Sequence, residues 1–371
     1  MVERLCSFSR QEGCEASVVT TSLYCNDNGT ELQRALRERI DATVLPVRNP
    51  RFLKHAEGAW QAIDKAVGRA DVIHLHTLWH PLNAISRKAC GRHGRKYVVM
   101  PHGMLDPYSL GRRRWRKKLY LAAIERRNLQ GASRIVFTAA QEQDAARESM
   151  PWLTAGEVIP LAADHPPQLS RQEATKLFAT HFPQIAGRRF VLFLGRIDPK
   201  KGLERLIMAL PKVIEKHPTV LLAVAGDGEP SYVRQIRDRI CSASLASHVL
   251  LTGAIAGPTK WAALACAEIF VLPSKQENFA ISVAEAMHMA VPVVITNKVD
   301  SWPLVAEAKA GVILEDATVD SDLGQHLNML LDAPDDAYCM GQRGQDFAKM
   351  HLTWPRVARD MVAMYNRVLA E

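Results

Sequence analysis

The 371-residue sequence lacks the features that mark several classes of protein. Its longest apolar runs, such as residues 220–225, are far below the roughly 18 residues that a membrane-spanning helix needs. No charged segment followed by an apolar stretch opens the chain, which predicts that it has no secretion leader. The seven cysteines are scattered without a Cys-x-x-Cys pair, which favours reduced thiols over disulfides or a zinc site. No Gly-x-Gly-x-x-Gly follows a predicted strand, which argues against a dehydrogenase.

What is present is an ordinary globular composition with an uneven distribution of charge. Hydrophobic residues make up 47% of the chain and charged residues 23%, enough for the cores of about two domains. The net charge is +8, and residues 1–150 carry 25 Lys and Arg against 15 Asp and Glu, so the excess lies in the first part of the chain. Residues 112–118 include six basic side chains. Such a cluster predicts an anionic partner.

Strand and helix signals alternate along the chain. The predicted strands are residues 16–20, 71–76, 96–100, 134–138, 189–194, 220–225, 248–252, 269–272 and 291–296. The predicted helices include residues 2–11, 117–130, 202–216, 229–242, 258–267, 282–289 and 354–369. This alternation predicts an α/β fold with doubly wound parallel sheets, whose ligands bind at the carboxyl ends of the strands. A polar, proline-containing segment near residue 168 divides the chain into a first domain, 1–168, and a second domain, 169–350.

The start of the first domain departs from this pattern. A doubly wound domain normally opens with a strand, a turn that is often rich in glycine, and a helix. This chain opens with the predicted helix 2–11, and its first predicted strand is 16–20. We therefore expect the first domain to lack its opening strand.

The sharpest chemical signal in the second domain follows the predicted strand 189–194. Gly195-Arg196 comes directly after this strand, and Lys201-Gly202 stands at the start of the next predicted helix. Two cations beside the free N–H groups of a helix N-terminus would suit a diphosphate. Taken alone, however, the segment favours a solvated arginine and lysine in a loop.

A second signal follows the predicted strand 269–272 of the same domain. Glu277 lies in a strand-to-helix turn, and Glu285 lies eight positions on, within the helix. The turn Asn278-Phe279-Ala280 between them could place its N–H groups at the positive end of that helix. Carboxylates at the two ends of such a turn can bind hydroxyl groups that flank a phosphate, as acidic residues bind a ribose in dinucleotide folds. Taken singly, each glutamate favours a simpler interpretation: Glu277 as a partner of the helix dipole and Glu285 as a solvated side chain.

Together these motifs resemble glycosyltransferase family 4, and the resemblance covers nearly the whole chain. The motifs that carry it, in chain order, are Gly195-Arg196 with Lys201-Gly202, the Ala-Gly-Asp-Gly-Glu of residues 225–229, Leu251-Thr-Gly253, and Glu277-x7-Glu285. The resemblance implies a GT-B fold of two facing Rossmann-like domains, with a closing helix at 351–371 that crosses back to the first domain. It also implies a retaining, metal-independent hexosyltransferase-type enzyme, whose nucleotide sugar is a substrate and which needs no cofactor.

The resemblance also assigns roles to individual residues of the second domain. Arg196 and Lys201 would neutralise the leaving diphosphate in place of a metal. Glu277 would bind hydroxyl groups of the donor sugar, and Glu285 would bind those of the ribose. Gly253 and the turn Asn278, Phe279 and Ala280 would complete the donor site.

In the first domain, the segment His-Gly-Met-Leu-Asp-Pro at 102–107 resembles a bacterial subgroup of the family that builds exopolysaccharide and lipopolysaccharide chains. By that resemblance His102 faces the donor sugar and joins Arg196, Lys201 and Glu277 as a catalytic residue. The alternative for His102 is a histidine that caps a turn.

Two further motifs could suggest a metal. His74 and His76 share one face of a strand, but no carboxylate or cysteine stands at ligand spacing. Asp320-Ser-Asp322 has the form of a metal-binding Asp-x-Asp, but it lies where a helix is predicted to begin, and Asp and Ser are common there. We therefore predict no metal site.

The basic stretch 112–118 has three interpretations. A solvated helix face is the commonest, and an anionic lipid surface comes next, because Trp115 and Leu119 add apolar contacts. A nucleic-acid site is disfavoured, since no aromatic platform or recognition helix accompanies the charge. The resemblance favours membrane proximity, because many acceptors in the family are polyprenyl-linked sugars. It predicts a cytoplasmic protein, peripheral on the inner face of the cell membrane, with a carbohydrate or polyprenyl-linked acceptor.

Two rival functions stay open at this point. The expected loss of the opening strand would fit an N-terminally truncated, inactive protein that binds nucleotide sugar. The same fold would also suit a nucleotide-sugar epimerase, which needs no acceptor.

Overall fold

The computed structural model describes residues 1–23, 30–47, 56–111, 114–153 and 156–371. Packing divides the chain into two compact units. The first unit consists of Met1–Pro160 and Trp354–Glu371, and the second of Leu161–Thr353. The functional domain limits at 168 and 350 stay predictions.

The elements alternate between strand and helix in both units. The strands are β1 (Ser17–Thr21), β2 (Asp41–Leu45), β3 (Val72–His76), β4 (Lys96–Met100), β5 (Arg134–Phe137), β6 (Glu157–Val158), β7 (Phe190–Leu194), β8 (Leu221–Ala225), β9 (Val249–Gly253), β10 (Ile269–Leu272), β11 (Val293–Thr296) and β12 (Gly311–Leu314). The helices are α1 (Val2–Ser9), α2 (Thr30–Arg37), α3 (Ala59–Arg69), α4 (Pro81–His93), α5 (Pro107–Gly111), α6 (Arg114–Tyr120), α7 (Arg126–Gln130), α8 (Ala140–Ser149), α9 (Arg171–His181), α10 (Leu203–Lys216), α11 (Pro230–Ser242), α12 (Gly257–Cys266), α13 (Ile281–His288), α14 (Trp302–Ala308), α15 (Val319–Asp332), α16 (Pro334–His351) and α17 (Trp354–Ala370).

All the paired strands run parallel. The second unit holds one six-stranded sheet in the order β12-β11-β10-β7-β8-β9. The first unit holds a four-stranded sheet, β3-β4-β5-β6, and a two-stranded sheet, β1-β2. Parallel strands require crossover connections, which the intervening helices supply. The prediction of parallel sheets is therefore confirmed.

Burial explains why the central strands were readable in the sequence. Every residue of β7, β8, β10 and β11 is buried, so each strand is a continuous apolar run, as expected for strands covered on both faces. In the first unit, Val99, Ile135 and Phe137 of β4 and β5 lie in the main core with Leu75 of β3. The carboxyl ends of these buried strands are thereby held in fixed positions.

Side-chain caps and prolines define where several helices begin. Ser170 and Glu173 form a reciprocal capping box at the start of α9. The Glu229 carboxylate accepts the Tyr232 N–H at the start of α11, and Pro230 occupies its first turn. These caps satisfy backbone donors that have no partner within the helix.

The predicted helix 117–130 is wrong in one respect. It is not continuous: α6 ends at Tyr120, a π-helical turn occupies Leu121–Glu125, and α7 follows. Glu125 lies in this turn and is fully buried, which places a carboxylate where a regular amphipathic helix would have an apolar side chain. Among the described residues, no helix is both long enough and apolar enough to span a bilayer.

Candidate functional site

The loops after β7 and β8 lie against each other at the carboxyl edge of the second sheet. A Cβ atom on Gly226 would stand 1.9 Å from the Gly195 carbonyl oxygen, and one on Gly228 would stand 2.0 Å from that of Ile197. The Ile197 N–H also donates to the Asp227 carbonyl, at 2.8 Å. Glycine at 226 and 228 is thus required by the close approach of two backbones, which places Arg196 at the junction of these loops.

The start of α10 lies against the loop after β10, the neighbouring strand on the other side. Gly202 caps α10 with φ of 69°, and a Cβ atom there would stand 2.0 Å from the Pro273 carbonyl oxygen. The Lys275 N–H donates to the Lys200 carbonyl at 2.7 Å and fixes the same approach. The sheet order β10-β7-β8 therefore brings three sequence motifs to one edge.

Lys201 and Glu277 form an ion pair across this junction. The Lys201 residue is only 8% exposed, and its ammonium group lies close to Gly195. Burial lowers the pKa of Lys201, although the Glu277 carboxylate opposes this shift. Lys200 lies farther from the same carboxylate, with Nζ 3.9 Å from Oε2. The structure thus brings together two of the predicted site residues, one cation and one anion.

Arg196 contributes a second cation at this edge. Its side chain is exposed and has no hydrogen-bond or ion-pair partner in the parts of the chain that the structure describes. Burial is the main cause of the lowered pKa of Lys201, and the positive charge of Arg196 adds to that shift. An exposed cation beside a buried one at a helix N-terminus is suited to an anion.

Hydrogen bonds to the loop after β11 hold the turn Asn278–Phe279–Ala280 in place. The Glu277 N–H donates to the Lys298 carbonyl at 2.8 Å, and the Ser301 hydroxyl donates to the Phe279 carbonyl at 2.6 Å. Ala280 caps α13 with φ of 54°, a left-handed conformation that is unfavourable for a residue with a Cβ atom. Such strain is typical of functional sites, where the surroundings maintain it.

Glu285 has a partner that sequence reasoning did not find. On α13, it is largely buried, and its Oε1 lies 2.6 Å from Lys260 Nζ on α12. Burial raises the pKa of Glu285, and the Lys260 ammonium opposes the shift. The lysine lies 25 positions earlier in the chain, and no motif links the two. Glu285 is therefore not a simple solvated glutamate.

Gly253 ends β9 with φ of 71°, next to the Gly-Asp-Gly loop. Its carbonyl accepts the Gly226 N–H at 2.8 Å, and the following Ala254 N–H donates to Asp227 Oδ2 at 3.3 Å. Gly253 thus adds the loop after β9 to the loops after β7, β8 and β10 at this edge of the sheet.

In the first unit, His102 follows β4 and contacts a second histidine. His102 Nε2 lies 3.0 Å from His76 Nδ1, and the two rings are stacked with centroids 5.3 Å apart. His76 also stacks on His74, whose Nδ1 lies 2.6 Å from the Tyr365 hydroxyl of α17. Removal of the rings from water lowers the pKa of His74 to about 3 and that of His102 to about 4. Burial also lowers the pKa of His76, and the shifts favour the neutral form of all three rings at neutral pH.

A buried glutamate fixes the backbone beside His102. One carboxylate oxygen of Glu142 accepts the Gly103 N–H at 2.5 Å. The other accepts the Thr138 N–H at 2.7 Å and the Thr138 hydroxyl at 2.8 Å. Glu142 is 2% exposed and joins the loops that follow β4 and β5. Sequence reasoning missed this residue, because the contact that matters for His102, to Gly103, spans 39 positions of the chain.

The absence of a metal stays a prediction, and the structure shows where the side chains that could hold one lie. No group of three His, Cys, Asp or Glu side chains is arranged to hold a metal ion in the described ranges. Asp320 and Asp322 lie in the first turn of α15, as expected for residues that favour a helix start. Asp320 instead lies 3.4 Å from the Arg205 guanidinium, which also binds Asp316 at 2.6 Å.

Part of the basic stretch 112–118 forms the exposed helix α6; residues 112 and 113 lie outside the described residues. Trp115 and Leu119 are each 64% exposed and stand four positions apart, on one face of the helix. Arg116 and Lys118 are exposed beside them. Lys117 instead turns inward, toward the Ser109 carbonyl and the Trp79 ring.

Two family models match the sequence of the chain. The Glycosyl transferase 4-like domain matches residues 1–162, and Glycosyl transferases group 1 matches residues 180–347. Spore coat protein SA of Bacillus subtilis is 27% identical over 188 residues, 49% of each chain. A GDP-mannose-dependent alpha-mannosyltransferase of Mycolicibacterium smegmatis is 30% identical over 183 residues, 49% of this chain and 44% of that protein. The chain thus spans about half the length of the curated relatives it matches.

A solved structure matches over nearly the full length. The crystal structure of Anabaena HepE in complex with UDP and glucose has a TM-score of 0.78 and 18% identity, and the match covers 98% of this chain and 96% of that one. This similarity establishes the fold. The two family models together match most of the chain, and they show that it belongs to the family 4 type of glycosyltransferases, which here has the GT-B fold.

Proposed function

We propose that the protein transfers a sugar from a nucleotide-sugar donor to a hydroxyl group of a carbohydrate or lipid-linked acceptor, with retention at the anomeric carbon, in the synthesis of a cell-surface polysaccharide. The observation that carries this proposal is the junction of Arg196, Lys201 and Glu277 at the carboxyl ends of neighbouring strands. Two cations and a carboxylate there fit the two parts of such a donor, a diphosphate and a sugar. The name of the GDP-mannose-dependent relative and the UDP complex of HepE agree with a nucleotide-sugar donor.

The proposed reaction places most of its charge on the leaving group. The bond between the anomeric carbon and the diphosphate oxygen breaks, and a bond from the acceptor oxygen forms on the same face of the sugar. The acceptor proton passes to the departing phosphate oxygen. As negative charge grows on the diphosphate, Arg196 and Lys201 stabilise the transition state more than the ground state. These cations take the role that a metal ion has in other transferases.

The remaining residues orient the donor in this proposal. Glu277 accepts hydrogen bonds from the donor sugar, and Glu285 accepts them from the ribose, each with an oxygen beside its lysine partner. The turn 278–280 and Gly253 line the diphosphate and nucleoside parts. His102 contacts the donor sugar as a neutral imidazole.

A panel of nucleotide sugars tests the proposal. We expect one member to raise the thermal unfolding midpoint and to be consumed only when an acceptor glycan is present, giving a product whose anomeric configuration, read by NMR, matches the donor. Isomerisation of the donor without acceptor would instead establish an epimerase. Binding without turnover would establish a nucleotide-sugar-binding protein. Stabilisation by no member of the panel would contradict the donor site itself.

We also propose that α6 binds an anionic membrane surface, because exposed Arg116 and Lys118 flank the apolar Trp115 and Leu119. Sedimentation with phosphatidylglycerol vesicles should fall about tenfold in the double variant Trp115→Ala/Leu119→Ala, since two apolar anchors are lost. Binding should also weaken as salt is raised. Met208→Ala, at a residue of the second unit that is also 64% exposed, is the matched control and should bind normally. Equal binding to neutral phosphatidylcholine vesicles would refute the anionic surface.

A further inference from the structure

His76 contacts the side chain of His102, and the proposed reaction gives His76 no role. His76 stands at the end of β3, and β3 pairs with β4 so that His76 is opposite Met100. This register brings His76 to the loop that contains His102. The pairing of two neighbouring strands therefore determines the distance between the two rings.

The contact between the rings requires one shared hydrogen atom. His76 Nδ1 and His102 Nε2 are 3.0 Å apart, which is hydrogen-bond distance. Two neutral nitrogens without a hydrogen would repel each other, and so would two N–H groups. One ring must therefore donate and the other accept, and the proton position on one ring determines that on the other.

The backbone at His102 is held in a left-handed conformation. His102 has φ of 55° and Gly103 has φ of 71°, so two consecutive residues are left-handed. This conformation is unfavourable for a residue with a Cβ atom and persists only where the surroundings maintain it. The Glu142 carboxylate supplies that restraint through the Gly103 N–H. With the backbone fixed, the orientation of the imidazole is the remaining variable.

His76 is itself held in place. Its ring stacks on that of His74, with centroids 4.1 Å apart and planes inclined by 23°. His74 is fixed in turn by the Tyr365 hydroxyl, which lies 2.6 Å from its Nδ1. The row Tyr365, His74, His76 and His102 thus connects the closing helix α17 with the loop after β4.

We propose that His76 is a positioning residue for His102: by sharing one hydrogen with it, His76 fixes the orientation of the imidazole and selects the single nitrogen that carries its proton. This inference rests on the proposed function, because it concerns the histidine assigned to the donor sugar. It adds that a hydroxyl of the sugar meets one defined kind of group, a donor or an acceptor, at the free nitrogen of His102. A ring that exchanged its proton between nitrogens would present both.

The two amide substitutions of His76 distinguish positioning from packing. The amide nitrogen of asparagine occupies the place of Nδ1, whereas that of glutamine occupies the place of Nε2. Because the bond uses Nδ1, His76→Asn should retain turnover within about threefold, and His76→Gln should lower kcat/KM about 10- to 100-fold, as expected for a misplaced contact. His76→Phe, which keeps the stacked ring without a hydrogen bond, should resemble His76→Gln.

Nitrogen-15 NMR of the labelled histidines gives a readout that does not depend on turnover. The His102 signals are assigned by their loss in His102→Asn. In the wild-type protein, they should show one protonated and one unprotonated nitrogen. In His76→Phe they should move to averaged positions. A His102 ring that is averaged in the wild type, or unchanged in His76→Phe, would overturn the inference, and so would equal activity of the Asn and Gln variants. If no nucleotide sugar is turned over but the NMR result holds, the proposed function fails and the positioning role stands.

Discussion

Lys201→Met should lower kcat about 100- to 1000-fold, the scale seen when a fixed charge that stabilises a transition state is removed. Methionine keeps the apolar part of the buried side chain and removes only the charge. Lys201 is 8% exposed and lies in a site partly shielded from water, where a charge acts more strongly than at the surface. The loss should appear mainly in kcat, because the charge on the leaving diphosphate grows as the bond breaks. Steady-state kinetics with the donor found in the panel gives the measurement.

The ion pair between Lys201 and Glu277 offers a second explanation for a loss of activity in Lys201→Met. The two explanations must be separated. Removing Lys201 leaves the Glu277 carboxylate short of a partner beside the expected position of an anionic substrate, and this alone could slow the reaction. A double-mutant cycle with Glu277→Gln resolves the two effects. If Lys201 acts on the diphosphate, the Lys201→Met penalty should stay near 100-fold in the Glu277→Gln background. If its penalty disappears there, Lys201 serves only to neutralise Glu277.

Lys200 provides the matched control. It is the adjacent lysine, and its Nζ lies 3.9 Å from the same carboxylate. Lys200→Met should leave kcat within about threefold, since exposed or distant ion pairs contribute little. Arg196→Ala should lower kcat as Lys201→Met does, with an unchanged thermal midpoint, because the exposed guanidinium has no partner among the described residues. Near-normal kcat in Arg196→Ala or Lys201→Met would contradict the assignment.

The sequence predicted those parts of the fold whose pattern lies within a single segment. Strands β7, β8 and β10 are buried at every position, and each appears in the sequence as an apolar run. Strands β2, β6 and β12 were missed for physical reasons: β2 begins with aspartate and alanine, which are uncommon in strands, β6 has two residues, and β12 begins with glycine. Tertiary pairing, rather than local preference, makes these segments strands.

The residues of the candidate site also fall into those that the sequence predicted and those that it could not. The sequence placed Lys201 and Glu277 at the ends of their strands, and the parallel sheet brings those ends together. It could not predict the Lys260 partner of Glu285, because that contact joins two helices without a shared motif. Nor could it predict that Glu142 binds Gly103, which is 39 positions away. Motifs identify the residues that meet a substrate, but the residues that position them depend on contacts formed only in the fold.

Gly202→Ala should destabilise the second unit far more than an ordinary glycine substitution. Gly202 has φ of 69°, and a Cβ atom there would lie 2.0 Å from the Pro273 carbonyl oxygen. No side-chain rotation relieves that contact, because the backbone fixes the position of the Cβ atom and the oxygen is itself a backbone atom. The loop after β10 or the start of α10 must move, at a cost of at least about 4 kcal/mol. The midpoint of the thermal transition should fall by roughly 8 °C or more for a unit of this size.

The variant Gly187→Ala distinguishes the effect of the steric contact from that of the left-handed backbone conformation. It has φ of 70°, in the same unit, and a Cβ atom there would have no neighbour within 4 Å. Gly187→Ala should therefore cost only the left-handed conformation, about 1–2 kcal/mol, and leave donor binding unchanged. Gly202→Ala should also weaken donor binding about tenfold or more, because the displaced segment carries Lys201 and faces the loop that leads to Glu277. Equal thermal midpoints in the two variants would show that the approach of Gly202 to Pro273 is dispensable, and the glycine would then be explained by its backbone conformation alone.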